Sequence, residues 1–401
     1  MDDKYKSADR ELLPMDYDII IVGAGPSGLS TALHLAQLAP ELAERTLVVE
    51  RESHPRSKLC AGGITPGGAA WLNRLGLDLS SVPFVDVCEA HFQFEGRGFV
   101  VRREPFVFHI VRRDEFDAWL ANAARERGLA LQEETLVRRV RCFEDGDDNG
   151  VEVETNQGTY RARVVVGADG ATSVVRRAVV RGHAPQVSRL LEILVPVAPL
   201  SPCLDAEGTG DNERAIIDFS WIADGVQGYV WDFPTQVQKQ PMHTWGIFDS
   251  RIHPKLAPVS LKVVWQKELA RRGVALDGQE LKGHPLRWFR PHGVFSAPRV
   301  LLVGDAAGVD PLLGEGISFA LGYGEVAARQ LQDAFAQDDF SFKEYRRRVL
   351  IHRTGRFLRR RYVVAWVIYG IRNRWLLRFL SWNLGPFMGW LAERFWVDWG
   401  E

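Results

Sequence analysis

Glycines and small residues near the start of the chain have the spacing of a turn that holds a nucleotide diphosphate. They follow a β-branched run at residues 17–22 and precede a helical pattern. In such a turn the first glycine allows the tight bend, the second lets backbone approach the phosphates, and the third permits close helix–strand packing. The N-terminus of the helix then favours phosphate charge. The residues of this segment are Gly23, Gly25, Pro26, Ser27 and Gly28.

A carboxylate stands where the second strand of this unit is expected to end. Glu50 closes the apolar run that begins at Thr46, and a carboxylate about 20 residues beyond the glycines can accept hydrogen bonds from ribose hydroxyls. Arg51 beside it is placed to lie along an adenine edge. Strand, glycine turn, helix and strand form a βαβ unit, which predicts a dinucleotide site.

Two later segments have the composition of further walls of the same site. Ala168, Asp169 and Gly170 follow a buried strand, and a glycine there lets the backbone pass close to a ligand. After another buried strand, Asp305 is placed to bind ribityl hydroxyls. A helix is expected to begin at residues 306–308 and to face a flavin ring with its positive end. The residues predicted to contact the cofactor here are Gly304, Asp305, Ala306, Gly308, Gly314, Gly316 and Ile317. The three segments together predict bound FAD and therefore an oxidoreductase.

Composition narrows the class of protein further. The 401 residues carry a net charge of -1 and are 46% hydrophobic, so a globular protein is expected and nucleic-acid binding is not. The four cysteines lack paired or metal-type spacing, which predicts reduced thiols and no metal site. The polar N-terminus does not resemble a signal peptide, and no apolar run is long enough to span a bilayer. A cytoplasmic protein is expected.

Hydrophobic periodicity divides the chain into a discontinuous FAD domain and two further regions. Residues 1–16 are predicted to be a flexible arm, and residues 17–183 and 292–335 the FAD domain. Strand patterns separated by polar turns over residues 184–291 predict a substrate domain with an antiparallel sheet. Part of the segment 75–110 is a candidate to join this domain. Residues 336–401 are expected to be helical. The fold class is thus α/β, or α+β overall, with a Rossmann-like FAD domain.

The layout resembles the glutathione-reductase-type FAD fold of the aromatic hydroxylases. The segment Arg113-Asp-Glu-Phe-Asp-Ala-Trp-Leu120 is similar to a helix of that group, and the resemblance implies that Arg113 lies near the flavin pyrophosphate. Those hydroxylases commonly have a histidine where this chain has Gly308.

Three motifs resemble the geranylgeranyl reductases more specifically, and the likeness extends over about residues 17 to 335. They are Lys58-Leu-Cys-Ala-Gly-Gly-Ile64, Tyr229-Val-Trp-Asp-Phe-Pro234 and Asp310-Pro-Leu-Leu-Gly-Glu-Gly-Ile317. In the first motif Ala61 replaces a glycine of that family. The resemblance implies that Cys60, with Ala61 and Gly62, lies near the flavin and that Cys60 influences reduction; a small buried thiol is the alternative. Lys58 is expected to be solvated and receives no role.

Aromatic residues in the second motif are candidates for contact with substrate. Tyr229, Trp231 and Phe233 alternate along a strand and therefore share one face. Such a face suits a long apolar ligand, although packing of the sheet core alone would also explain it. Pro234 is expected to end the strand and to complete the substrate site.

These features predict an FAD-dependent reductase that saturates carbon–carbon double bonds of a polyprenyl chain by hydride transfer from reduced flavin N5. The residues assigned to catalysis are Cys60 and Gly314. The proton donor is left open between Cys60 and water, with Glu315 a weaker candidate. No second Gly-x-Gly-x-x-Gly follows a strand, so a dedicated NAD(P)H domain is not expected. Transiently bound NAD(P)H, ferredoxin and another carrier remain alternative electron donors, and the oligomeric state is open. The main alternative is an FAD monooxygenase or halogenase on an apolar substrate. A non-enzymatic alternative is a prenyl-lipid carrier or redox sensor that keeps FAD structurally.

The C-terminal region is basic and rich in aromatic residues. Arginines between Arg346 and Arg378 are interleaved with tryptophans from Trp366 onward. This composition suits an interfacial helix on the anionic inner face of a membrane. The alternative is packing of these helices against the FAD domain, where they would close one end of a lipid tunnel.

Overall fold

The computed structural model describes residues 15–145, 148–180, 187–196, 214–274 and 282–393. Most of the expected arm, residues 1–14, lies outside these ranges, as do Cys203 and the last tryptophans. The strands are β1 (Tyr17–Val22), β2 (Thr46–Val49), β3 (Gly63–Ile64), β4 (Phe84–Val87), β5 (Glu89–Phe94), β6 (Arg97–Arg102), β7 (Phe108–Val111), β8 (Ala130–Gln132), β9 (Val137–Asp145), β10 (Asp148–Thr155), β11 (Thr159–Gly167), β12 (Val187–Pro196), β13 (Arg214–Asp218), β14 (Gly228–Val237), β15 (Gln240–Asp249), β16 (Lys282–Arg287), β17 (Ser296–Ala297) and β18 (Val300–Leu302).

Helices alternate with strands in the first half and follow one another at the end. They are α1 (Pro26–Leu38), α2 (Pro40–Glu44), α3 (Pro66–Arg74), α4 (Arg113–Glu126), α5 (Val174–Val179), α6 (Leu261–Arg271), α7 (Ile317–Gln337), α8 (Tyr345–Ile351), α9 (Arg353–Ile368), α10 (Arg374–Arg378) and α11 (Gly385–Ala392). Short 3-10 turns occupy Leu79–Ser81, Ser220–Ile222 and Gly304–Ala306, and a π-helical turn occupies Phe379–Asn383.

The first sheet carries the glycine turn at the carboxyl ends of its parallel strands. Its order is β17-β18-β11-β1-β2-β8, and the β9–β10 hairpin joins at β11. The pairs from β18 to β8 are parallel. The apolar runs of β1, β2 and β18 and the end of β11 are buried, as expected for a sheet covered on both faces, whereas the edge strand β8 is partly exposed. Helices α1 and α7 pack against each other beside this sheet. The ends of β1, β11 and β18 therefore meet at one edge.

The second sheet supplies an apolar face opposite that edge. Its order is β16-β12-β15-β14-β13-β5-β6, and the pairs are antiparallel except β13 with β5. Strands β5 and β6 come from the 75–110 segment. Trp265 of α6 packs with Val230 and Ile247 on one face of the sheet. Tyr229, Trp231 and Phe233 belong to a separate apolar cluster on the other face.

Three local expectations from the sequence are wrong. The segment 306–308 does not begin a helix, because a 3-10 turn ends at Ala306 and a loop containing Pro311 leads to α7 at Ile317. Pro234 does not end β14, which stays paired with β15 through Val237. It is tolerated there because the pairing with β13 covers only Val230 to Asp232, so no partner needs its missing N–H. Helix α6 was missed among the strands, although Ser260 caps it.

Candidate active site

A two-lobed cleft lies where the first sheet faces the second. The inner lobe has a cavity volume of about 130 Å³ and the outer lobe about 250 Å³. Both lobes are lined by Gly25, Lys58, Ala168, Gly170 and His284, so they form one continuous site. The predicted residues that line the inner lobe are Gly25, Pro26, Ser27, Cys60, Ala61, Gly62, Arg113, Ala168, Gly170, Tyr229, Trp231, Phe233, Asp305, Gly314, Gly316 and Ile317. Those that line the outer lobe are Gly23, Gly25, Glu50, Arg51, Ala168, Asp169 and Gly170.

Five predicted residues line neither lobe. Gly28 and Gly304 pack closely against neighbouring protein atoms. A Cβ on Gly28 would come within 1.9 Å of the Gly23 carbonyl oxygen, and a Cβ on Gly304 within 2.5 Å of Ser27 Oγ. Ala306 offers its carbonyl to Arg176, and Gly308 packs against Phe289. Pro234 is directed away because successive residues of a strand point to opposite faces. The first four support the loops around the cleft.

Glu50 is held in place by the glycine turn. Its Oε2 accepts a hydrogen bond from Ala24 N at 2.8 Å, and Arg56 Nη2 lies 3.6 Å from the same oxygen. Arg51 is exposed and pairs with Glu52. Its Oε1 accepts a hydrogen bond from Glu52 N at 3.3 Å. The carboxylate is therefore fixed at the end of β2, where residues 50–52 line the outer lobe.

A group of buried cations surrounds the junction of the two lobes. Arg113 donates to both oxygens of Asp117, at 2.8 and 2.7 Å, and Arg56 lies 3.2 Å from the same carboxylate. Lys58 lines both lobes, and burial, aided by Arg113, lowers the pKa of its ammonium. Lys58 is therefore half-buried inside the cleft and does not lie on the open surface. This cationic junction suits a diphosphate.

Sequence reasoning missed Arg56, Asp117 and His284 at this junction. Asp117 was hidden in the helical pattern of α4, where its i,i+4 spacing from Arg113 was the available signal. Arg56 carries no motif. His284 belongs to β16, more than 200 residues after the first glycine turn in the sequence. Only tertiary contact brings it to the junction of the two lobes.

Several buried polar atoms at the cleft have no partner among the described residues. They include Arg56 Nε, Asp169 Oδ1 and His284 Nε2, all on residues that line the outer lobe. Buried polar groups in native proteins are nearly always hydrogen-bonded. Guanidinium, imidazole and carboxylate groups around a cationic junction match the phosphates and hydroxyls of a dinucleotide, so the residues present fit FAD.

Asp305 lies in the 3-10 turn that follows β18 and lines the inner lobe. Burial raises the pKa of this carboxyl, while Lys58, Arg113 and Arg287 oppose the rise. A carboxyl in this position can accept hydrogen bonds from polyol hydroxyls. Its Oδ1 also lies close to Gly316, where a Cβ would come within 3.9 Å.

The loop from Asp310 to Gly316 is held by hydrogen bonds within the loop, by a hydrogen bond from Thr65 and by ion pairs with Arg361. Asp310 accepts from the N–H groups of Leu312 and Leu313, and Thr65 Oγ1 donates to Glu315 at 2.7 Å. Arg361 Nη1 of α9 lies 2.6 Å from Asp310 Oδ2 and 2.6 Å from Glu315 Oε2. Gly314 faces the second sheet, since a Cβ there would come within 3.1 Å of Phe248. The loop therefore borders the inner lobe in one defined position.

The C-terminal helices pack on both sheets. Arg361 is 1% exposed, Arg372 donates to the carbonyl of Ile222, and Arg374 and Arg378 both pair with Glu95. Arg361 is therefore structural, whereas Arg374 and Arg378 are half-exposed and form their ion pairs with Glu95 at the surface. No helix in the described part of the chain is both long enough and apolar enough to span a bilayer.

The comparison with known protein families decides the cofactor. A family described as an FAD binding domain matches residues 16–322, which is most of the chain and includes all three glycine-containing segments. The chain belongs to this FAD-binding family. The expectation of FAD as cofactor is confirmed, and the residues that line the cleft described above fit this cofactor.

Similar proteins match about four fifths of the chain. A digeranylgeranylglycerophospholipid reductase of Methanopyrus kandleri is 28% identical over 346 residues, which cover 82% of this chain and 83% of its own. A menaquinone reductase of Mycolicibacterium smegmatis is 25% identical over 354 residues, 80% of this chain and 78% of its own. The resemblance to geranylgeranyl reductases is confirmed at this level.

Solved structures confirm the fold class. A geranylgeranyl bacteriochlorophyll reductase-like protein of Thermoplasma acidophilum superposes with a TM-score of 0.74 at 22% identity, covering 96% of this chain and 98% of its own. A myxobacterial chondrochloren halogenase that is FAD-dependent superposes with a TM-score of 0.63 at 20% identity, covering 88% and 82%. Reductases and halogenases share this α/β fold, so the fold does not choose between them.

His284 gives the FAD cleft a testable pH dependence. Burial, reinforced by Lys58 and Arg113, lowers the pKa of His284 to about 4, below the usual value of about 6.5. Between these values the unfolded chain binds a proton that the folded chain does not, so stability falls as pH falls through this window. From pH 7 to 5, FAD-free protein should lose ~1–2 kcal/mol more unfolding free energy than its His284→Gln variant. Urea titrations at both pH values measure the free energy of unfolding. Equal losses in both proteins would contradict the lowered pKa of His284.

Proposed function

We propose that this protein is an FAD-dependent reductase that saturates carbon–carbon double bonds of a polyprenyl chain. One observation carries the proposal: the inner lobe is bounded by the FAD-binding loops on one side and by an aromatic wall on the other. The wall consists of Tyr229, Trp231, Phe233 and Phe248. An apolar surface facing a redox cofactor suits a hydrocarbon substrate.

The aromatic wall is rigid enough to orient a flexible chain. Trp231 lies flat against the next strand, since a Cβ on Gly246 would come within 2.0 Å of the indole Cζ2. The Tyr229 hydroxyl donates to the carbonyl of Leu313, and its ring lies 5.7 Å from that of Phe248. Rings held in this way exclude water and restrict the positions of a double bond, which lowers the entropic cost of reaction.

Saturation of a double bond requires a hydride and a proton, which add to its two carbons. When bound, reduced FAD supplies the hydride. The Glu315 carboxylate is held by Arg361 and Thr65. Burial raises the pKa of Tyr229, whose hydroxyl donates to the carbonyl of Leu313. We assign the proton to the Cys60 thiol, directly or through water, since Cys60 lines the same lobe. Gly314 shapes the backbone opposite the wall.

The direct test is anaerobic turnover with a mixture of prenyl compounds. Dithionite-reduced protein is mixed with geranylgeranyl lipids and menaquinone, and mass spectrometry follows the gain of hydrogen pairs. Saturation of one compound supports the proposal and identifies the substrate. Oxygen insertion or halogenation after admission of air, with no anaerobic product, would favour the alternative enzyme class. Binding of prenyl compounds with no turnover under either condition would favour a carrier.

We also propose that the protein binds the surface of an anionic membrane through its C-terminal helices. Large apolar side chains are exposed here, with Trp375 71% and Trp390 57% exposed. We call this set the aromatic surface; it comprises Val363, Trp366, Val367, Trp375, Phe379, Phe387 and Trp390. On α9, Arg356, Arg359 and Arg360 precede Val363 and Trp366 along the same exposed face. Aromatic rings beside guanidinium groups suit a bilayer interface with anionic lipids.

Sedimentation with vesicles tests this surface. We expect binding to phosphatidylglycerol-containing vesicles that weakens with salt, and weaker binding to pure phosphatidylcholine. The double variant Trp375→Ser with Trp390→Ser should reduce partitioning about tenfold or more, since each exposed ring contributes buried apolar area on insertion. The exposed Val263 of α6, replaced by Ser, is the control and should not change partitioning. Equal sedimentation of all three proteins would exclude the surface.

A further inference from the structure

A second apolar cavity, separate from the FAD cleft, lies between the second sheet and the C-terminal helices. Its volume is about 70 Å³, several times the roughly 10–15 Å³ that one water requires. The floor comes from β5 and β6 and the roof from residues 368–388. We call it the rear chamber; among its lining residues are Phe92, Phe99, Phe219, Ile371, Leu377 and Met388. Because its lining is almost entirely apolar, water would gain few hydrogen bonds there.

A row of apolar side chains runs from the FAD cleft to the rear chamber. Ile217 of β13 is paired in register with Trp231 on one side and with Phe92 on the other, and Phe92 is paired with Phe99. Residues paired in register share a face of the sheet. Trp231 and Ile217 line the inner lobe, whereas Phe92 and Phe99 line the rear chamber. The row spans three strand spacings, about 14 Å.

Phe219 stands between the two cavities. It lines the rear chamber, and its ring centroid lies 5.8 Å from that of Tyr229, which lines the inner lobe. The two cavities share no lining residue. The Phe219–Tyr229 contact therefore lies between the two cavities, beside the direct pairing of Ile217 with Phe92.

We propose that the rear chamber binds the end of the substrate's apolar chain that is remote from the flavin. This inference rests on the proposed prenyl substrate and adds where the chain lies. A chain that crosses the aromatic wall follows the row from Trp231 to Phe99 and ends beneath α10. The chamber then selects for chain length, since a short chain fills only the inner lobe and gains nothing from the chamber.

Adjacent residues of α10 provide a matched pair of variants. Leu377 is 6% exposed and lines the chamber, whereas Leu376 is 36% exposed. Leu377→Trp fills the chamber, and Leu376→Trp adds the same bulk outside it. FAD-loaded protein is titrated with geraniol, farnesol and geranylgeraniol, and the flavin absorbance change gives each dissociation constant without turnover. Anaerobic reduction of the same alcohols is measured separately.

The expected result is a loss confined to the long chain. Leu377→Trp should weaken geranylgeraniol binding about tenfold or more, leave geraniol binding unchanged, and keep full FAD content; Leu376→Trp should match the unmodified protein. Because Leu377→Trp could fail to fold, Phe219→Trp is the second variant, and it should give the same length-dependent loss by narrowing the route. Unchanged geranylgeraniol affinity in the folded variants would overturn the chamber assignment.

The two proposals fail in different ways. If geranylgeraniol binds in the length-dependent manner but no alcohol is reduced, the chamber assignment stands and the proposed reaction fails. If all alcohols are reduced and Leu377→Trp reduces them with unaltered preference, the reaction stands and the chamber assignment fails.

Discussion

Replacing Gly25 by alanine should give a folded protein that purifies without FAD. The backbone of Gly25 is extended, with φ −85°, a conformation that any residue adopts. An added Cβ would lie 3.5 Å from Arg56 Nη2, which is an ordinary contact. Neither the backbone conformation nor the packing of the protein therefore requires glycine at position 25. The requirement comes from the ligand, whose diphosphate approaches this backbone.

The expected loss of FAD affinity is about 100-fold or more, equivalent to ~2.7 kcal/mol. Flavin absorbance and equilibrium dialysis measure the affinity, and circular dichroism checks the fold. The neighbouring glycines are the contrasting variants. A Cβ on Gly23 would come within 2.5 Å of the Ala168 carbonyl oxygen, and one on Gly28 within 1.9 Å of the Gly23 carbonyl oxygen. Alanine at either position should destabilise the fold itself. Full flavin content in Gly25→Ala would place the diphosphate elsewhere.

Replacing Arg361 by methionine should destabilise the protein by about 3–5 kcal/mol. Arg361 is buried and pairs with both Asp310 and Glu315, so its removal leaves two carboxylates buried without their cation. The aliphatic part of methionine keeps most of the packing. Denaturant unfolding, followed by tryptophan fluorescence, measures the free energy of unfolding.

Two companion variants separate the lost ion pairs from lost packing. Adding Asp310→Asn and Glu315→Gln to Arg361→Met removes the unpaired charges and should recover part of the stability. Arg359 lies on the exposed face of the same helix, and Arg359→Met should change stability by no more than about 0.5 kcal/mol. A small effect at Arg361 equal to that at Arg359 would contradict a structural role for the buried ion pairs.

Local patterns predicted the elements whose signals are contained in neighbouring residues. The buried runs at residues 17–22 and before Asp305, and the glycine turn between Gly23 and Gly28, are each encoded within a short window, because strand burial acts locally. FAD could be predicted for the same reason, since each of its binding segments joins a strand end to a glycine-containing turn.

Contacts between residues distant in sequence determine features that local patterns cannot predict. No window of sequence predicts that Arg361 would reach Asp310 and Glu315, because a buried ion pair requires tertiary contact between α9 and a distant loop. The same holds for His284 at the cationic junction and for the parallel pairing of β5 with β13. The C-terminal region shows most clearly what local patterns cannot predict. Its charge and aromatic content follow from the sequence, but only tertiary packing decides which arginines are buried and which tryptophans are exposed.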